Sequence, residues 1–118
     1  MRYLLLLANA PDAWEAETAD DGVIEDWPLY TQALREAGVL VGGAALHGPD
    51  TATTVRVRQG RRLVTDGAYA ETVEDLLGYY LIDVPTLDEA LAWAARVPNA
   101  RTGSVEVRPV APGSEAVP

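Results

Sequence analysis

The chain contains no cysteine, no lysine and no phenylalanine, and its only histidine is His47. Without cysteine there are no disulfides, thiolate nucleophiles or sulfur-ligated metal centres. Without lysine there is no Schiff base, no covalent pyridoxal chemistry and no P-loop amine. One histidine cannot build a two-histidine zinc site within one chain. Positive charge is scarce: nine arginines face eighteen acidic residues, for a net charge of −9. Such a surface disfavours nucleic acid, an acidic partner that needs basic contacts. Long hydrophobic runs are missing as well. Leu4 to Ala8 is far too short to span a membrane, and Asn9, Pro11, Asp12 and Glu15 interrupt it before a signal-peptide core can develop. These readings predict a cytoplasmic protein with no metal, no cofactor, no nucleic acid and no membrane partner.

What is present is one domain of 118 residues, 48% of them apolar, with three tryptophans and five tyrosines. Met1 to Ala8 predicts a strand apolar on both faces, hence central in its sheet. Asn9 to Asp21 predicts an acidic connector in which Trp14 is the one anchor. Gly22 to Ala37 predicts a helix carrying Trp27, Tyr30, Leu34 and Ala37 at helical spacing, with Gly38 at the left-handed position after its end. Pro28 either marks the first turn, with Asp26 near the cap, or kinks a longer helix.

Val39 to Leu46 is a second apolar run, closed by a Gly48-Pro49-Asp50 turn. Thr53 to Arg58 alternates, with Val55 and Val57 on one side and Arg56 and Arg58 on the other. Gln59-Gly60 turns that strand into Arg61 to Thr65. A turn at Asp66-Gly67, a helical turn at Ala70 to Asp75 and a strand from Gly78 to Val84 follow. Thr86 and Glu89 form a capping box for a helix to about Val97 carrying Leu87, Ala90, Leu91 and Ala94. Ser104 to Val110 is the last strand. The domain thus runs from 1 to 110, with a flexible tail from 111 to 118. The order β-α-β-(β-β)-β-α-β predicts an α+β fold of the ferredoxin-like, split βαβ kind with an inserted hairpin. Both helices cover one sheet face and leave an apolar face for a second copy.

Several segments carry a resemblance. Thr51 to Arg58, the stretch Leu63-Val-Thr-Asp-Gly-Ala-Tyr through Val84, the opening Met-Arg-Tyr-Leu-Leu-Leu, and Gly103-Ser-Val-Glu-Val-Arg-Pro109 together resemble the YCII-related family, in its branch named for a DGPF motif. The resemblance implies a dimeric α/β barrel in which two protomers pack their sheets face to face. The motif reads Asp66-Gly67-Ala68-Tyr69 here, so the turn-forming pair is kept while Pro and Phe are replaced. Members of this branch are often encoded beside extracytoplasmic-function sigma factors, which implies a regulatory context. In shorter YCII-type proteins a His–Asp pair is the proposed catalytic centre, with its histidine early in the first helix. This chain has Asp26-Trp27-Pro28-Leu29-Tyr30 there, so the pair is not carried over.

Two functions follow. The first is a cofactor-independent acid/base enzyme, of isomerase, lyase or dehydrochlorinase type, acting on a small organic substrate. His47 and Asp66 would move the proton, and Tyr69, Tyr79, Tyr80 and Arg56 would hold the substrate. The second is a non-catalytic ligand-binding or regulatory homodimer. Each candidate also has a plain structural reading: His47 as an exposed loop residue, Asp66 as an Asx turn, the tyrosines as packing, and the arginines as a solvated face. Tyr79 and Tyr80 are neighbours on a strand, so only one side chain is expected to line a given cavity.

Overall fold

In the computed structural model, residues 1–9, 21–67 and 74–114 are described, with the backbone alone for 21–26. Trp14, Tyr69 and the predicted helical turn up to residue 73 fall outside the described residues, as do residues 115–118. The elements run β1 (Arg2–Asn9), α1 (Asp21–Glu36), β2 (Leu40–Ala45), β3 (Thr53–Arg58), β4 (Arg61–Asp66), β5 (Asp75–Asp83), α2 (Leu87–Ala95) and β6 (Ser104–Pro109). Short 3-10 turns occupy Pro49–Thr51 and Pro98–Arg101.

Four strands form one antiparallel sheet in the order β2-β5-β1-β6, and β3 and β4 form a separate two-stranded ribbon. This is the α+β, ferredoxin-like arrangement predicted from the element order, with the hairpin inserted between β2 and β5. β1 is central, as its two apolar faces require. Tyr3, Leu5, Leu7 and Asn9 alternate inward and are buried, while Leu4, Leu6 and Ala8 on the other face are only half-buried.

Both helices pack on the inward face. α1 contributes Tyr30 and Leu34, and α2 contributes Ala90 and Ala94, to a core that also holds Ile82, Val84 and Val97. Burying a side chain such as Leu5 or Leu34 stabilises the fold by about 1.5–3 kcal/mol. The tyrosine hydroxyl at the centre is satisfied, since Tyr30 donates to the carbonyl of Trp93 at 2.9 Å. Its ring meets Tyr80 and Trp93 edge-on at centroid distances of 5.3 and 6.3 Å.

Pro28 lies inside α1, so of the two arrangements open to it the longer helix is the one formed. The helix ends in a Schellman motif. Gly38 has φ of 72° and donates to the Arg35 carbonyl, and Val39 donates to that of Leu34. α2 is capped as expected, with the Thr86 hydroxyl accepting from the Glu89 amide at 3.2 Å.

Three boundaries that differ from expectation have a local reason. β1 extends to Asn9 and β5 begins at Asp75 because these two residues pair across a bulge at Leu77. Asp75 therefore belongs to a strand and not to a helical turn. α2 stops at Ala95, since Pro98 begins a 3-10 turn. Its leucines also face differently from the prediction: Leu87 and Leu91 are about half-exposed, and the small Ala90 and Ala94 make the contact.

Candidate functional site

Strand β2 is the edge of the sheet, and from Gly42 to Ala45 it carries only Gly-Gly-Ala-Ala. With no bulky side chains there, and Gly78 opposite Ala45 on β5, space remains between the sheet and α1. That space is a cavity of about 740 Å³, within the range of small-molecule sites. Gly43 is required by close approach: a Cβ there would stand 2.7 Å from the Tyr79 carbonyl oxygen and 3.0 Å from Cδ1 of Tyr80. α1 closes the cavity with a stripe one helical turn apart, Trp27, Thr31 and Arg35, running beside the buried Tyr30–Leu34 stripe.

The polar groups of the lining form a chain. Thr31 Oγ1 lies 3.1 Å from the Trp27 carbonyl, which can only accept, and 2.7 Å from the Tyr80 hydroxyl, where either oxygen can be the donor. Burial of Tyr30 behind this chain, with help from Tyr80 and against the pull of Arg96, pushes its phenol well above the ordinary tyrosine value.

Among the residues proposed from sequence, Tyr79 and Tyr80 both border this cavity. Tyr80 faces the core side with Leu5 and Gly43, whereas Tyr79 sits in register with Leu6 and Ala44 on the opposite side of the sheet. Tyr80 is thus the one whose ring serves the space beneath α1. His47 and Asp66 do not border the cavity, and both are exposed. No hydrogen bond joins them among the described residues. Beside Asp66, Gly67 at the end of the ribbon donates to the Ala52 carbonyl at 2.8 Å. Thr54 adds a side-chain bond to the Gly67 carbonyl at 2.7 Å. Arg56 is half-buried on β3, away from the cavity lining. Tyr69 lies outside the described residues.

Trp27, Thr31 and Arg35 were not singled out as site residues from sequence. Their spacing of four carried the signal, as a polar flank beside the apolar stripe of the same helix. Among the described residues no cluster of three or more His, Asp or Glu side chains is placed to hold a metal ion. No described helix is long and apolar enough to cross a membrane.

Fold and site together define a ferredoxin-like α+β domain with an appended hairpin and an open cavity under its first helix. The chain belongs to the YCII-related family, whose domain matches residues 1–114. An uncharacterised protein of Rhizobium meliloti is 43% identical to it over 116 residues, covering 94% of this chain and 93% of the relative.

Proposed function

We propose that this protein is a homodimeric small-molecule-binding protein of the DGPF branch, acting by occupancy of the α1 cavity and not by acid–base chemistry. The observation that carries this reading is the composition of the lining. Among the described residues it offers apolar walls, a paired Thr31 and Tyr80 hydroxyl, and no histidine or carboxylate. A general acid or base must reach its substrate directly or through one water, and His47 and Asp66 stand outside. The Asp66-Gly67 pair, retained from the branch motif, closes the base of the ribbon as a turn, with Gly67 at φ of 105°. The regulatory context implied by the family resemblance suits a protein that reports a ligand.

The dimer reading rests on two apolar surfaces that the described residues leave half-buried or exposed. One is the second face of the sheet, with Leu4, Leu6, Leu81 and Tyr79; the other is the valine side of the ribbon. Face-to-face packing of two sheets covers the first.

Backbone amide NMR on the full chain, titrated with a panel of small organic compounds, tests the ligand reading. Shifts concentrated at Thr31, Gly43 and Tyr80 are expected. Shifts centred on His47 and Asp66, with turnover of the compound, would restore the acid–base enzyme in its place.

A further inference from the structure

We infer that the cavity under α1 is built for a small amphipathic carboxylate, an aromatic or branched aliphatic acid whose carboxylate pairs with Arg35. The inference rests on the ligand-binding reading above and names the ligand's chemical class. In a chain with eighteen acidic residues, no Asp or Glu among the described residues borders the cavity, and Arg35 is the one charged residue of its described lining. The Arg35 side chain has no ion pair or hydrogen bond among the described residues. Its neighbour Glu36 instead accepts from Gln32 Nε2 at 3.2 Å. The Schellman motif that closes α1 uses the Arg35 carbonyl and so fixes the base of this side chain at the cavity rim.

An unpaired guanidinium beside apolar walls matches an anion carried on an apolar body, since its planar fork accepts a carboxylate bidentately. The sign and size of the anion follow from position. Arg35 stands in the last turn of α1, where the helix dipole presents partial negative charge. A singly charged carboxylate is tolerated there better than a doubly charged phosphate. The body of the ligand has Trp27 and Tyr80 to lie against, over the space left by the small residues of β2. The Thr31 and Tyr80 hydroxyls, joined at 2.7 Å, add a preference for acids that carry a second hydrogen-bonding group.

The test uses calorimetric titration of the full chain with four probes that share a phenyl group: phenylacetate, phenylacetamide, phenethylamine and phenyl phosphate. Phenylacetate is expected to bind saturably, with the amide at least about tenfold weaker and the amine weaker still. Arg35→Gln should lower phenylacetate affinity by about tenfold or more and leave the amide unchanged, whereas Arg35→Lys should retain part of the difference. Arg96→Gln, which removes a guanidinium stacked 4.5 Å from the Trp93 ring and outside the lining, serves as the control and should change neither. Melting curves confirm that each variant is folded. Equal affinity for acid and amide, tighter binding of the phosphate, or an Arg35→Gln variant that binds the acid as wild type does would overturn the carboxylate assignment while leaving ligand binding intact. Absence of saturable binding by all four probes would overturn both.

Discussion

The four-stranded sheet and the β3–β4 ribbon are both antiparallel and both carry apolar side chains, yet they reach opposite ends. In β1 the inward positions Leu5 and Leu7 are almost wholly buried, at 0% and 3% exposure. In the ribbon Val55 and Val57 remain 57% and 62% exposed, and every residue of β4 is exposed. The sheet has helices to cover it, whereas among the described residues the ribbon has none. An isolated two-stranded hairpin is marginal in water, and this one has an apolar side facing outward. The contrast teaches that alternation specifies a strand but not its cover. Under the dimer reading, the ribbon and the bare face of the sheet find theirs in a second copy.

The largest expected effect lies in the sheet. Leu5→Ala should cost about 2–5 kcal/mol in urea denaturation, through lost burial plus a cavity. Val57→Ala should cost the fold about 0.5 kcal/mol or less and act instead on self-association. Similar losses of fold stability at the two sites would erase the distinction between the regions.

The next effect concerns a buried polar joint. Asn99 is fully buried and donates to the carbonyls of Ala8 and Ser104 and to Asn9 Oδ1, at 3.1–3.2 Å, tying the loop before β6 to the end of β1. Asn99→Ala should cost about 1–3 kcal/mol, because the groups it serves stay buried. An unchanged denaturation midpoint would show that the joint carries no stability.

A smaller effect is pH-dependent. The Tyr30 phenol is pushed above its ordinary value of 10.0, first by burial and then by Tyr80. The folded chain therefore holds this proton more tightly than the unfolded chain. Its contribution to stability is complete below pH 10.0 and is lost progressively as the pH rises above it. Tyr30→Phe should cost about 1 kcal/mol at neutral pH, for the bond to Trp93, and should flatten part of the alkaline decline. An alkaline slope identical to wild type would assign that decline to other groups. The smallest effect on the fold is expected from Val55→Asp with Val57→Asp. On an exposed ribbon these should leave the melting of the sheet nearly unchanged while shifting any self-association toward single chains.

Much of this architecture was legible in the residues. Period-two alternation marked β3 and β6, Gln59-Gly60 marked the ribbon turn, and Thr86 with Glu89 marked the start of α2. The start of β5 was hidden because the bulge at Leu77 places two leucines in succession, which breaks the alternation. The cavity was less legible still, for it is made by what β2 lacks. Gly42 to Ala45 read as an apolar run, and only the packing of α1 across them turns their small size into a space. Arg35 carried no signal in the sequence, and stands out only because the described lining holds no acid.

The central claim, that the bare sheet face and ribbon are covered by a second copy while the cavity keeps its own opening, meets its most direct test in light scattering on the full chain at micromolar concentration. The account predicts a mass twice the 12.6 kDa of one chain. A mass of 12.6 kDa, with the ribbon as exposed as it stands here, would contradict it.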